Sequence, residues 1–203
     1  MIRNLVFDMG NVLVTFDPEL FMDREGLQDP EDRRIVRREL FQSVEWSMMD
    51  LGLLSEKEVE PRVLSRVPDH LKASVTRLLY EWPAPRTMVP GMEALVRRLK
   101  DRDYPLYLLS NASVMQPSYW KTMPISSLFE GTLISAEVKL VKPMPEIYHA
   151  LTDRFHLQPE ECLFIDDNSM NVAAAVWQGW EGIVFHGDAA ELECRLKQLG
   201  VRL

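Results

Sequence analysis

The chain has 203 residues, which suffices for one domain with a sizeable core, or for a core with a smaller insertion. Its 46% hydrophobic and 27% charged residues exclude a disordered or fibrous protein. The formal charge of −8 disfavours nucleic acid and anionic membranes as partners, and no apolar run reaches the ~18 residues of a membrane span. We therefore expect a cytoplasmic protein that is a monomer or a homodimer.

The first predicted element is a buried strand that begins near Arg3 and ends at a carboxylate. Strand-favouring residues run to Phe7, Asp8 follows directly, and Gly10 and Asn11 come next. One charged group is thus presented at the mouth of an apolar strand. An Asp in this position can also cap a helix or close a turn, so the position alone does not define a site.

The next segment, to about residue 80, is predicted to be helical throughout. Asp29-Pro30-Glu31 is typical of a helix start, and Ser55-Glu56-Lys57-Glu58 has the capping-box pattern. Asp69 is predicted to cap a third helix, and no strand candidate interrupts the segment. A proline-rich stretch over 83–90 follows, which predicts a connector back to a different kind of structure.

Beyond this connector, helices and short apolar strands alternate to the end of the chain. Continuous apolar strands between helices predict a parallel sheet covered on both faces. The predicted fold is α/β, with a doubly wound, Rossmann-like core formed by residues 1–16 and 86–203 and an all-helical insertion over residues 17–85. The predicted strands after the connector are Pro105–Leu109, Gly131–Ser135, Cys162–Ile165 and Gly182–Phe185.

Polar residues follow the predicted strands at the edge where parallel sheets bind ligands. They are Asp8, the pair Ser110-Asn111 and the pair Asp166-Asp167, with Lys142 beyond the strand that contains Ile134. Three carboxylates at one edge repel each other unless a cation lies between them. Oxygen ligands of this kind suit Mg²⁺, which is held by few carboxylates and leaves positions for water and phosphate.

Four motifs in this order resemble those of the haloacid dehalogenase-like hydrolases, and the resemblance covers the whole chain. The Asp8-Met-Gly-Asn context fits the magnesium phosphatases of this family better than its metal-free dehalogenases. The helical insertion is similar to the small cap domain of the family, with hinges near Asp17 and at 83–90. The motifs are Phe-Asp8-Met-Gly-Asn-Val, Leu-Leu-Ser110-Asn111, Lys142-Pro143 with Glu146-Ile147-Tyr148, and Phe-Ile-Asp166-Asp167-Asn168.

The resemblance implies a two-step transfer of phosphate. Asp8 would attack phosphorus and form an aspartyl phosphate, which water then hydrolyses. Lys142 would keep Asp8 ionised and neutralise the transferring group, while Ser110 and Asn111 would hold phosphoryl oxygens. We also expect Asn11 to bind the substrate.

The resemblance also implies the metal ligands. Asp8 and the Gly10 carbonyl would bind Mg²⁺, with Asp167 as a direct ligand. Asp166 would act through water or bind Lys142.

Gly10 departs from the usual first motif, which has a general acid at this position. General acid–base help is typically worth 10²–10⁴-fold, so its loss matters most for poor leaving groups. One solution is an activated leaving group, such as that of a sugar phosphorylated at its anomeric carbon or of an acyl phosphate. Another is a substitute acid from the segment with Glu45, Trp46 and Asp50, which could equally be an ordinary helix with Trp46 and Met49 packed inside.

The predicted function is a Mg²⁺-dependent phosphatase for a small phosphorylated metabolite. The alternative is a catalytically weakened protein of the same fold that binds or senses a phosphorylated ligand. Retention of Asp8, Ser110, Lys142 and both later carboxylates favours the enzyme, because a simple anion site needs no acids.

Overall fold

A computed structural model of the chain describes residues 1–81 and 86–203. Its sheet has five parallel strands in the order β3-β2-β1-β4-β5, so the α/β prediction is confirmed. Strands β2 and β3 lie on one side of β1, and β4 and β5 lie on the other. The change of side places a topological switch point beside β1. The strands are β1 Asn4–Phe7, β2 Leu106–Ser110, β3 Gly131–Ile134, β4 Cys162–Asp166 and β5 Glu181–Val184.

Eleven α-helices lie in the described residues. Five of them, all before residue 82, are α1 Pro18–Arg24, α2 Pro30–Val36, α3 Val44–Asp50, α4 Glu56–Leu64 and α5 Lys72–Glu81. The other six are α6 Met92–Asp101, α7 Gln116–Trp120, α8 Ser135–Val138, α9 Pro145–Phe155, α10 Ser169–Trp177 and α11 Ala189–Gln198. None of these helices has the length and apolar character that a bilayer crossing requires.

Strand β1 is buried on both faces, which explains the apolar run from Leu5 to Phe7. Leu5 and Phe7 point to one hydrophobic cluster, whereas Val6 points to another on the opposite face. The alternation follows from the two-residue period of a strand. Because helices cover both faces, the strand is apolar after its first residue, Asn4, and the first carboxylate comes only after the strand ends.

The helical segment has a hydrophobic cluster of its own, whose buried members all fall between Phe21 and Leu79. The predicted capping box of Ser55 and Glu58 is present, and Asp29 caps α2. The prediction that Asp69 caps a helix is wrong. Residues Asp69–Leu71 form a 3₁₀ turn that leads into α5, and the Asp69 carboxylate instead pairs with Lys72 at 2.6 Å.

The two chain connections between sheet and helical segment run side by side. Thr15 donates its N–H to the Thr87 carbonyl at 2.9 Å, and Val89 donates to the Leu13 carbonyl at 3.0 Å. We propose the predicted boundaries, residues 17–85 for the cap and 1–16 with 86–203 for the core. The part of the predicted connector at 83–85 lies outside the described residues.

The end of α3 docks on the core at the start of α8. Ser135 donates its hydroxyl to the Asp50 carbonyl at 2.5 Å. Gly52 has φ +65°, and a Cβ there would stand 2.2 Å from the Ala136 carbonyl oxygen. Only glycine allows this backbone conformation and this close approach together. The short helix α8, which the sequence pattern did not predict, thus forms part of the surface on which the cap rests.

We expect Gly52→Ala to destabilise the protein far more than Gly26→Ala. Gly26 has a similar φ of +74° but open space around the added methyl group. A left-handed non-glycine residue costs about 1 kcal/mol, and the clash with Ala136 should raise the loss for Gly52→Ala to about 3 kcal/mol. Urea unfolding of both variants measures this difference. Equal losses would show that the close approach to Ala136 contributes nothing.

Candidate active site

A cavity of about 240 Å³ opens at the carboxyl ends of the central strands. It is lined from the core by Asp8 after β1, Ser110 and Asn111 at the end of β2, and Asp167 after β4. Lys142 reaches the same cavity from the loop between α8 and α9. The predicted residues therefore converge because parallel strands all end at one edge.

A buried ammonium joins two of the carboxylates. The Lys142 Nζ atom donates to Asp8 Oδ1 at 2.6 Å, to Asp166 Oδ2 at 2.7 Å and to the Leu109 carbonyl at 3.0 Å. All three of its protons thus have an acceptor, which a buried ammonium requires.

Burial and charge act against each other in this cluster. Burial is the largest effect on Asp8 and raises its pKa to about 7, although the Lys142 ammonium opposes the shift. Burial also disfavours the charged form of Lys142, but Asp8 and Asp166 outweigh it and raise the Lys142 pKa. The two carboxylates thus favour the charged form of Lys142, and an additional cation near Asp8 would favour the ionised carboxylate further.

The three carboxylates are close enough to share a metal ion. One oxygen each of Asp8, Asp166 and Asp167 lies within 4.8 Å of the others. Asp166 is already bonded to the Asn168 N–H at 2.8 Å and to the Asn171 amide at 3.1 Å. Asp167 is exposed, which leaves it, together with Asp8, more open to an ion. A set of hard oxygen atoms at this spacing fits Mg²⁺.

Two predicted substrate ligands have amide groups that bind the protein itself. Asn111 donates to the Lys142 carbonyl at 3.0 Å and accepts from the Lys142 N–H at 2.8 Å. Asn11 donates to Asp167 at 3.2 Å and accepts from the Phe16 N–H at 2.9 Å. These bonds position the loop of Lys142 and the Asp167 carboxylate. Contact of Asn11 or Asn111 with substrate stays a prediction.

Helix α3 supplies the opposite wall of the cavity. Its three predicted site residues, Glu45, Trp46 and Asp50, do not all face the cavity. Glu45 points to Arg66, with bonds of 2.8 and 2.9 Å that hold the pKa of its carboxyl below the usual range. Trp46 and Asp50 line the cavity. Burial raises the pKa of Asp50 to about 7, with Lys142 opposing and Asp8 adding to the shift.

Several residues of the site were missed by sequence reasoning. Asn171 binds both Asp166 oxygens from the first turn of α10, and its polar side chain at a helix start beside the Asp pair is the signal that could have found it. Glu56 and Tyr119 line the cavity from α4 and α7. Nothing in their local sequence separates them from ordinary helix residues.

Comparison with known proteins identifies the family of the chain. Residues 2–179 match the model of the haloacid dehalogenase-like hydrolases. The chain belongs to this family of hydrolases. It is similar to a D-ribitol-5-phosphate phosphatase of Bacteroides thetaiotaomicron, with 25% identity over 89% of the chain and 90% of the relative. It also resembles a flavin mononucleotide hydrolase of Arabidopsis thaliana at 27% identity, over 56% of the chain and 46% of that relative.

Solved structures show the same fold. A haloacid dehalogenase family enzyme of B. thetaiotaomicron in complex with magnesium and inorganic phosphate superposes with a TM-score of 0.68, at 24% identity over 95% of the chain and 99% of the enzyme. An L-2-haloacid dehalogenase of Xanthobacter autotrophicus has a TM-score of 0.65 at 17% identity, over 100% of the chain and 85% of the dehalogenase.

Replacing Asp50 by Asn should stabilise the metal-free protein at alkaline pH. The Asp50 pKa is about 7 in the folded chain against an ordinary value of 3.8, so between these values the folded state keeps a proton that the unfolded state has lost. The native carboxyl therefore costs increasing stability as pH rises through this window. We expect Asp50→Asn to gain about 1–3 kcal/mol at pH 8 and less at pH 5, measured by urea unfolding in EDTA.

Asp69→Asn is the matched control, because Lys72 holds the pKa of that exposed carboxyl below its ordinary value. It should give no gain at pH 8. A gain for Asp50→Asn that does not grow with pH would contradict the assignment of a buried, unfavourable carboxylate.

Proposed function

We propose that the protein is a Mg²⁺-dependent phosphatase that hydrolyses a small phosphorylated metabolite through an aspartyl phosphate. The observation that carries this proposal is the cluster of Asp8, Asp166 and Asp167 around the buried Lys142, open to a cavity with Ser110 in its wall. The phosphatase and hydrolase names of the two sequence relatives support the same class of reaction.

In this mechanism an Asp8 carboxylate oxygen forms a bond to phosphorus while the bond from phosphorus to the leaving oxygen breaks. Water then attacks the aspartyl phosphate and releases inorganic phosphate and free Asp8. Lys142 lies 2.6 Å from Asp8, so it favours the ionised nucleophile against the effect of burial and would offset charge on the transferring group. Ser110 stands at the cavity wall with its side chain able to donate to a phosphoryl oxygen.

The residues fit a resident Mg²⁺ ion. Asp8, the Gly10 carbonyl and Asp167 would hold it directly, with Asp166 kept in place by Lys142 and Asn171. The ion would supply positive charge at the phosphoryl oxygens and permit a dianion to approach the acidic cluster.

Because Gly10 offers no general acid, either the substrate has an activated leaving group or another residue donates the proton. The first solution is a substrate whose leaving group needs little protonation, such as an anomeric sugar oxygen or an acyl oxygen. Asp50 provides the second, because it lines the cavity with a pKa raised to about 7. A pKa near the working pH suits a proton donor. Glu45 does not suit this role, because Arg66 occupies its carboxylate.

Phosphate release from p-nitrophenyl phosphate tests the proposal. We expect wild-type turnover that requires Mg²⁺, is lost with EDTA and falls about 10³-fold or more in Asp8→Asn. Asp153→Asn, the same change at an exposed position of α9, should retain full activity. Turnover that persists in Asp8→Asn would exclude this nucleophile. Phosphate binding without wild-type turnover would instead support the alternative, a protein that binds or senses a phosphorylated ligand.

Gly10→Asp tests whether proton transfer limits the rate. A Cβ at Gly10 has its nearest neighbours at 3.7 Å, so the site has room for the first atom of the new side chain. Because an aryl oxide leaves without a proton and an alkoxide does not, the ratio of alkyl to aryl phosphate turnover should rise about tenfold. Steady-state rates on glycerol phosphate and p-nitrophenyl phosphate give this ratio. An unchanged ratio would show that the missing acid does not limit the rate.

A further inference from the structure

The cavity has two chemically different ends. The inner end carries Asp8, Ser110 and Lys142, where the phosphoryl group would be bound. The end formed by the cap and α7 faces the position of the leaving group. It combines apolar and aromatic side chains with two carboxylates, namely Trp46, Met49, Leu79 and Tyr119 with Asp50 and Glu56.

The two carboxylates are held at the cavity by contacts between cap and core. The Asp50 carbonyl accepts the Ser135 hydroxyl, and the adjacent Gly52 rests against Ala136. Glu56 accepts a hydrogen bond from the Ser113 hydroxyl, which follows β2. Backbone and side-chain contacts thus fix both acids beside the reacting group, so their charges are part of a built site.

Positive charge is scarce along this wall. Among the described residues that line the cavity, Lys142 is the one with a cationic side chain, and Asp8 and Asp166 already neutralise it. Arg86 stacks at 4.3 Å on the Tyr119 ring but does not line the cavity. Over residues 1–81 and 86–203 the Asp50 carboxylate accepts no hydrogen bond, whereas the neighbouring Glu45 is paired with Arg66.

We propose that Asp50 and Glu56 select substrates by the charge of the leaving group, accepting small neutral or amine-bearing alcohols and rejecting those with a second anion. The inference rests on the phosphatase function proposed above. Carboxylates attract hydroxyl and ammonium donors and repel a carboxylate or a second phosphate. Specificity is a difference of affinities, so repulsion of an anionic leaving group contributes to it as much as attraction of a favoured one. A cavity of about 240 Å³ has room for a small leaving group.

Three phosphate esters of nearly equal size isolate charge from shape. They are 2-hydroxyethyl phosphate with a neutral leaving group, phosphoethanolamine with a cationic one and phosphoglycolate with an anionic one. We expect kcat/KM for phosphoglycolate to be about tenfold or more below that of 2-hydroxyethyl phosphate, since one like charge a few ångströms away has an effect of this order. Phosphoethanolamine should equal or exceed the neutral ester. Rates are measured at pH 8.5 with saturating Mg²⁺, where the Asp50 carboxyl is ionised.

Asp50→Asn and Glu56→Gln should each reduce this discrimination at least about threefold, mainly through KM for phosphoglycolate. Asp69→Asn removes one cap charge that does not line the cavity and should leave the ratio unchanged. Where turnover is slow, each ester is measured as a competitive inhibitor of p-nitrophenyl phosphate, so the ranking is still obtained. Circular dichroism confirms that each variant is folded.

Equal constants for the three esters in the wild type would overturn the proposal, as would full discrimination in both cap variants. Failure of the phosphatase function is a different result, namely the absence of Mg²⁺-dependent turnover of p-nitrophenyl phosphate by the wild type. p-Nitrophenyl phosphate, which has no second charged group, tests the phosphatase function. The three esters, which differ in the charge of the leaving group, test the selection by charge.

Discussion

The buried ion cluster of Lys142 with Asp8 and Asp166 is the constraint on which the site depends. An ammonium removed from water is tolerated only if every proton finds an acceptor, and here two carboxylates and the Leu109 carbonyl supply them. Asp8 follows β1, Asp166 ends β4 and Leu109 lies in β2. Because β1 lies between β2 and β4 in the sheet, the three acceptors of Lys142 are brought together.

Around this cluster the protein uses polar side chains to hold backbone and acids in place. Asn111 fixes the backbone on both sides of the Lys142 residue, and Asn171 holds both oxygens of Asp166. Such supports leave Asp8 and Asp167 as the acids with room for an additional ligand. The cluster is thus rigid where charge must be buried and open where chemistry would take place.

The cap contributes an acidic and aromatic wall, in which Asp50 has no hydrogen-bond donor among residues 1–81 and 86–203. Burial that raises the pKa of Asp50 to about 7 makes its ionised form costly to stability. The contacts of Gly52 with Ala136 and of Ser135 with Asp50 hold that carboxylate where it is unfavourable. In the proposed function, the core half of the cavity would bind the phosphoryl group and the cap half would select the leaving group.

Local signals predicted much of this structure. Buried strands that end in polar residues gave the parallel sheet, and Asp8, Ser110, Lys142, Asp166 and Asp167 converge because parallel strands end at one edge. Asp69 was misassigned, because a turn of 3₁₀ helix and an Asp cap have the same local sequence. The sequence by itself determined the strand pattern and the chemistry of each strand end, since both depend on near neighbours. Only the tertiary structure decided that Asp50 and Glu56 face the cavity while Glu45 pairs with Arg66, because that depends on how distant helices pack.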